Sequence, residues 1–355
     1  MLLIPAIILT LLCLWVVIPP FNTATIVLAV GSIELSPYLL VVNVLLLACT
    51  QWKGGRFRFA ASTVLAINCV LCALPLLALV RTDVSAVRLN GGAPVAITQR
   101  VIPITLGRER SNILAYLPNA SQPVPAIFAI YGGAWRSGSP RSDAWLNSAL
   151  AHHGYAVFAL DYRHAPKYHF PAPLDDVRSE IAFICKNARR YNIDPERTAL
   201  LGHSSGGELA ELMAFEPGSP VRALISYSGA VDLTMGWKYP PSPDPIGIRA
   251  VIQNYIGDTP ARAPERYRAA TPLDHIRRGL PPILLIYAMR DDVVDFRYAQ
   301  KFRDSLRGAG AHVTFLQLPW TEHAFEDVPF GLHAPIAYRA TLRFLSAVLP
   351  AANAK

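Results

Sequence analysis

Two serines and a histidine stand among glycines in Gly202-His203-Ser204-Ser205-Gly206-Gly207. The apolar run Thr198–Leu201 precedes them, and Leu209, Leu212 and Met213 follow at helical spacing. A strand that turns sharply into a helix here holds the middle serine of a Gly-x-Ser-x-Gly stretch in a strained conformation, with its hydroxyl presented at the edge of a sheet. Glycines two residues to either side are required, because a Cβ at either place would strike neighbouring backbone. Ser204 has glycine at both offsets and is the candidate nucleophile. Ser205 becomes the first helical residue and supplies one of the main-chain N–H groups that a helix start leaves unpaired. The plain alternative, a flexible strand-to-helix loop, is not separated from this reading by the pentapeptide alone.

A serine hydroxyl becomes nucleophilic only when a base takes its proton, and the base needs an orienting acid. In a parallel sheet such residues collect in loops past the carboxyl ends of strands, which sorts the nine histidines. His312 precedes a strand, His275 belongs to a cap helix, and His152 and His153 lie in a helix before a strand. His203 adjoins the serine but points away and shapes the turn. His323, five residues past Leu318, stands at the correct end, with His333 as the fallback. The same rule selects the acid from Arg290-Asp291-Asp292, which follows the apolar run Ile283–Tyr287; Asp291 is preferred over Asp292, and Asp295 reads as a helix cap. The chain order Ser204, Asp291, His323 is that of the α/β-hydrolases.

Attack on a carbonyl puts negative charge on its oxygen, so donors must already be aimed there. Tyr131-Gly132-Gly133-Ala134-Trp135 follows an apolar strand and offers N–H groups free of bulk. Gly133, Ala134 and Ser205 are the expected oxyanion donors, with Gly132 permitting the approach. A phosphate loop is the weaker reading, because no lysine or third spaced glycine follows. No metal-ligand spacing occurs, and Cys185 is the one cysteine outside the apolar front part, so the domain has no internal disulfide.

The elements that must position these residues read as a mostly parallel sheet covered by helices. Ala126–Tyr131, Ala156–Leu160, Thr198–Leu201, Ala223–Tyr227, Ile283–Tyr287 and Val313–Leu318 are strand-like, and Gln99–Ile104 and Asn112–Leu117 pair at an antiparallel edge. Leu174–Tyr191, Gly206–Phe215, Phe296–Leu306 and Ala334–Leu349 read as helices. A proline-rich interval at about 232–280 interrupts the rhythm and reads as a cap over the sheet, with helical pieces at Ile246–Tyr255 and Pro264–Ala269.

The chain has 355 residues, 52% of them hydrophobic, and the excess lies at the front. Residues 1–80 carry four charged side chains, Glu34, Lys53, Arg56 and Arg58, among apolar runs at Leu2–Ile18, Ile33–Cys49 and Phe59–Val80. These predict a membrane anchor of three transmembrane helices, a linker at 81–94 and a catalytic domain at 95–350. Glu34 belongs at a membrane interface. The basic residues between the second and third runs place that loop in the cytoplasm, and so the N-terminus inside and the domain outside, on the periplasmic face of a bacterial inner membrane. From residue 81 onward there are 30 basic and 24 acidic side chains without runs. A solvated surface near anionic lipid accounts for that balance, and no nucleic-acid motif accompanies it.

Taken together, Tyr131-Gly-Gly-Ala-Trp135, the block from Asp161-Tyr-Arg to Leu174-Asp-Asp-Val177, the elbow, the Asp291 loop and Glu322-His323-Ala-Phe325 resemble the acetyl esterase and hormone-sensitive-lipase-like branch of the α/β-hydrolases over roughly residues 95–350. The resemblance implies that fold and hydrolysis of carboxylic esters through an acyl-enzyme, with no metal or organic cofactor. Tyr131 stands where that family usually has histidine, and Gly-His-Ser-Ser-Gly replaces Gly-Asp-Ser-Ala-Gly, which brings the chain towards feruloyl-esterase-like and peptidase-like relatives. Asp161 and Arg163 are expected to pair behind the site. A membrane-anchored serine carboxylesterase acting on a small-molecule or lipid ester is therefore the leading expectation. An amidase or peptidase using the same residues is the second, and a non-catalytic membrane scaffold the third.

Overall fold

The computed structural model describes residues 2–53, 57–80 and 94–351. Arg56 and nearly all of the expected linker lie outside the described residues. The apolar front part forms four helices: α1 (Leu3–Cys13), which tightens into a 3-10 turn at Leu14–Val16, α2 (Thr23–Glu34), α3 (Ser36–Lys53) and α4 (Arg58–Val80). This corrects the expectation of three membrane-crossing helices. Among the described residues only α4, with 23 residues, is alone long and apolar enough to cross a bilayer, while α1 is shorter. The second run is broken: α2 and α3 meet at a 68° bend. Pro37 lies just past it, in the first turn of α3, where a missing N–H costs nothing. Asn22 opens α2 with a reciprocal cap, its Oδ1 accepting from the Thr25 N–H at 3.0 Å while Thr25 Oγ1 accepts from the Asn22 N–H at 2.9 Å.

Glu34 lies at the end of α2. It is fully buried against the rest of the protein. Its carboxylate accepts from the His333 backbone N–H at 2.8 Å and lies 2.7 Å from His333 Nδ1, and its carbonyl accepts from the Leu332 N–H at 3.0 Å. A buried carboxylate persists because both oxygens are partnered. At the end of the 3-10 turn, the carbonyls of Val16 and Val17 accept from the Arg290 guanidinium at 2.7 and 3.2 Å, and Val16 also accepts from Trp320 Nε1 at 3.0 Å. These are the orphan carbonyls of a helix end, satisfied by side chains nearly three hundred residues away.

The remainder is built on one eight-stranded sheet. In chain order its elements are β1 (Ile97–Leu106), β2 (Glu109–Pro118), β3 (Val124–Ile130), α5 (Ala144–His152), β4 (Ala156–Leu160), α6 (Ala172–Lys186), α7 (Ala188–Tyr191), β5 (Ile193–His203), α8 (Ser205–Phe215), β6 (Ala223–Tyr227), α9 (Leu233–Lys238), α10 (Ile248–Ile256), α11 (Pro264–Ala269), β7 (Ile283–Ala288), α12 (Phe296–Gly308), β8 (Val313–Leu318) and α13 (Ala334–Val348). The spatial order is β1-β2-β4-β3-β5-β6-β7-β8. β1 and β2 form the antiparallel edge, β2 joins β4 antiparallel, and the remaining pairs are parallel. The strands predicted from apolar runs are thus present. The helix expected over Leu174–Tyr191 starts two residues earlier and breaks at Asn187 into α6 and α7.

Strands β3, β4, β6 and β7 are buried at every position, because helices cover both faces. Phe128, Phe158, Leu200 and Leu285 point to one face, beneath α6, α8 and α12. Ile127, Val157, Leu201 and Ile286 point to the other, against α5 and α13. The alternation of odd and even residues is the two-residue period of a strand. Between β6 and β7 the chain makes only α9, α10, α11 and a 3-10 turn at Pro272–His275, as the proline-rich interval suggests.

Candidate active site

Ser204 sits between the last residue of β5 and the first of α8 with φ 51° and ψ −118°. A non-glycine residue at positive φ carries about 1–3 kcal/mol of strain. Its own N–H donates to the Tyr227 carbonyl at 2.8 Å, which anchors the turn to β6. The flanking glycines are required by contact: a Cβ on Gly202 would collide with the Gly206 carbonyl, and one on Gly206 with the Ile130 and Tyr131 carbonyls. Ser205 is buried, its hydroxyl 3.4 Å from Tyr162 OH, so it is not the exposed hydroxyl.

The loop after β8 brings His323 to the serine, with Nε2 2.9 Å from Ser204 Oγ. On the other side of the ring, Nδ1 lies 2.8 Å from Asp291 Oδ2. Asp291 Oδ1 accepts from the N–H groups of Val293 and Val294 at 2.9 and 2.7 Å, which fixes the carboxylate while leaving Oδ2 for the imidazole. Burial opposes a charge on His323, but the Asp291 carboxylate outweighs it by charge and hydrogen bond and pushes the imidazole up to about 9. Asp292 does not face the ring. It is half-buried beside Glu322, a carboxyl absent from the sequence-based candidates. Burial, then the neighbouring Asp291, pushes Glu322 up to about 9, so it stays protonated at neutral pH. Its Oε1 accepts from the N–H groups of both Asp292 and His323 at 2.8 Å, tying the acid loop to the histidine loop. The signal for it was its place next to His323.

The remaining candidates are elsewhere. His333 is held by Glu34. Asp295 caps α12 by accepting from the Arg297 N–H at 2.8 Å. His203 turns away from Ser204, its Nδ1 3.1 Å from Glu326 Oε1. Burial opposes its charge, but Asp143 and then Glu326 raise it to about 9. The expected Asp161–Arg163 pair does not form. Arg163 makes a bidentate pair with Asp176, Nη2 to Oδ1 at 2.7 Å and Nε to Oδ2 at 2.8 Å. Asp161 instead accepts from Tyr131 OH at 2.7 Å and from Ser111. The Tyr131 phenol supplies Asp161 with a donor in place of the expected arginine.

The loop after β3 carries Gly133, Ala134 and Trp135 at φ 139°, 54° and 56°. The N–H groups of Gly133, Ala134 and Ser205 have no protein acceptor among the described residues, and Ala134 lines the same cleft as Ser204. Gly132 lies against the elbow, where a Cβ would come within 3.1 Å of Ser204 Cβ. Trp135 pins the loop: its Nε1 donates to Glu208 Oε2 at 3.0 Å and its ring stacks on Tyr255 of the cap with centroids 4.3 Å apart. Tyr255 OH donates to the same carboxyl group at 3.2 Å. Burial holds Glu208 well above the usual carboxylate range. Glu208 is one helical turn past Ser204, a spacing that marks a shared face but not a partner.

Among the described residues no cluster of metal-binding side chains occurs. The arrangement can take a proton from a serine hydroxyl, stabilise an imidazolium and donate to an oxyanion.

Comparison with known proteins places this geometry. Residues 114–306 match the BD-FAE family. Over 216 residues the chain is 30% identical to a protein of Mycobacterium tuberculosis called probable carboxylic ester hydrolase LipM, covering 57% of this chain and 49% of that one. It is 29% identical over 248 residues to esterase LipC of the same organism, covering 64% and 59% respectively. The chain thus spans about half the length of the curated relatives it matches. Among solved structures, the thermostable carboxylesterase EstE1, cloned from a metagenomic library, superposes with a TM-score of 0.62 at 20% identity, over 75% of this chain and 92% of that one. The family match runs from within β2 to within α12, more than half of the chain, and takes in the elbow and Asp291; the chain belongs to the BD-FAE family and has the α/β-hydrolase fold.

Proposed function

We propose that this protein is a membrane-anchored serine carboxylesterase. The observation that carries the reading is the continuous row Ser204 Oγ, His323, Asp291, with hydrogen-bond separations of 2.9 and 2.8 Å, beside three unengaged backbone donors. The esterase names of the relatives support it. Ser204 Oγ attacks the ester carbonyl as its proton passes to His323 Nε2, and Asp291 stabilises the imidazolium through Nδ1–H. Gly133, Ala134 and Ser205 N–H groups receive the oxyanion. Collapse of the tetrahedral species breaks the bond to the alkoxy oxygen, which takes the proton from His323, and the acyl group stays on Ser204. Water, deprotonated by the same imidazole, then attacks the acyl-serine, releasing the acid and restoring Ser204.

Anchoring rests on α4, which at about 1.5 Å per residue is long enough for a bilayer core of about 30 Å, with α1 and α3 packed beside it. The side chains of Ile4, Ile8, Leu45 and Val70 are exposed as lipid contact requires. The function is tested by treating the full chain in detergent with a fluorophosphonate and locating the adduct by mass. The expected result is one adduct on Ser204 and loss of acyl-ester turnover in Ser204→Ala. Ester turnover that survives Ser204→Ala overturns the proposal.

A further inference from the structure

Two clefts meet at Ser204, and their linings differ. One runs under the cap and is apolar, walled by Leu233, Ile248, Val251, Ile252, Val294 and Tyr298. The other opens past the oxyanion loop and is more polar, lined by Arg136, Asp143, His203, His323 and Asp327 and by Thr23 and Ile26 of α2. His323 lines the second cleft and not the first. The chemistry then fixes which part of an ester lies where. The imidazole that protonates the departing oxygen must reach it, so the alcohol portion occupies the cleft beside His323. The acyl chain, which stays on the serine, is left with the apolar cleft under the cap.

The wall on the alcohol side belongs to the anchoring part of the chain. Helix α2 presents Thr23 and Ile26 to the cleft, while Phe21, Val27 and Leu28 on the same segment face outward with 56%, 69% and 39% of their surface exposed. Exposed Ile4, Ile7, Ile8 and Leu11 of α1 add to this apolar surface, in the helix whose end holds the Asp291 and His323 loops through Arg290 and Trp320. Exposed aliphatic surface of this kind, at the rim of a concave site, fits a lipid surface rather than water. The opposite arrangement, with the anchor remote from the cleft, would leave the mouth open to solvent on all sides.

We infer that the substrate is a bilayer-resident acyl ester: its aliphatic acyl chain enters the cleft under the cap, and its lipidic alcohol portion lies along α2 and leaves by that route. This rests on the serine carboxylesterase reading and narrows it. The balance of atoms is that of ester hydrolysis: the acyl carbon exchanges its bond to the lipid alcohol for one to Ser204 Oγ and then to water oxygen, the alcohol leaves with the proton relayed by His323, and no oxidant or cofactor is consumed.

The test compares two butyrate esters with the full chain reconstituted in vesicles of diether phosphatidylcholine, which themselves contain no acyl ester. One is soluble 4-nitrophenyl butyrate; the other is a 1,2-dialkyl-3-butyrylglycerol embedded in the vesicles. Wild type is expected to release butyrate from both. Ile26→Trp, which narrows the alcohol-side cleft along α2, is expected to slow the embedded ester at least about tenfold more than the soluble one, whose small nitrophenyl group needs less of that cleft, since displacing a substrate by an ångström costs this much or more. Thr23→Trp, at an exposed position of α2, carries the same expectation without disturbing packing. Turnover of the soluble ester with none of the embedded one by wild type overturns the inference alone. Equal losses on both esters in both variants also overturn it, because α2 is then only a support. Failure of wild type on both esters sinks the carboxylesterase reading itself.

Discussion

At the scale of single residues the decisive question is which carboxylate serves the histidine. Asp291 Oδ2 is 2.8 Å from His323 Nδ1, while the neighbouring Asp292 lies beside protonated Glu322. Asp291→Asn is expected to lower kcat by roughly 10⁴, the scale of the same change in serine proteases, and Asp292→Asn to retain most activity; steady-state rates of both variants with a chromogenic ester check this, and a loss confined to Asp292→Asn reverses the assignment. The pH profile follows from the same contact. His323 works as a base only when neutral, and Asp291 raises it to about 9, so kcat/KM is expected to climb through neutral pH and level off near 9. A profile already flat at pH 7 contradicts this. For folding the sign is opposite: the raised value stabilises the fold below the ordinary histidine value of about 6.5, and that contribution disappears as pH rises through about 9. Ser204, Asp291 and His323 were legible because glycine spacing and strand-end position are properties of sequence. Glu322 and Glu208 were not, because what distinguishes them is burial of a carboxyl group, and hydropathy reads them as surface residues.

Among elements, the loop after β3, which carries the proposed oxyanion donors, depends on a helix and a cap that are far apart in sequence. Trp135, Glu208 and Tyr255 form one hydrogen-bonded, stacked unit. Burial favours the neutral form of Glu208, so glutamine is the closer imitation, whereas leucine removes both acceptors and leaves the indole N–H and phenol O–H buried without partners. Glu208→Gln is expected to keep kcat within about threefold, and Glu208→Leu to lose about tenfold or more, as a loosened donor loop should. Equal losses in the two variants would show that charge, not acceptor geometry, matters at this position. The parallel strands were readable as short apolar runs because helices cover both of their faces. The break between α2 and α3 was not, for a hydropathy window adds up apolar residues without regard to direction, and the burial of Glu34 depends on a histidine 299 residues away.

At the scale of the whole molecule the front helices are fastened to the sheet-containing part by polar contacts. Glu34→Ala leaves buried His333 without its carboxylate and is expected to cost about 3 kcal/mol, measured as a lower denaturation midpoint of the full chain in detergent; an unchanged midpoint means that the pair contributes nothing. For topology, alkaline phosphatase fused after residue 85 is expected to be active and after residue 55 inactive, because Lys53 and Arg58 favour the cytoplasmic side. The inverse pattern would put the catalytic half in the cytoplasm. Helix α2 touches that half at both ends, through Thr23 at the cleft and Glu34 at His333. On the proposed anchoring, the Glu34–His333 contact and the cleft wall at Thr23 would together hold Ser204 at one height above the hydrocarbon. For a lipid carrying several ester bonds, such an anchor would act as a ruler: the bond cleaved would be the one whose depth matches that height, with regioselectivity set by vertical position before any side chain in the cleft reads its shape.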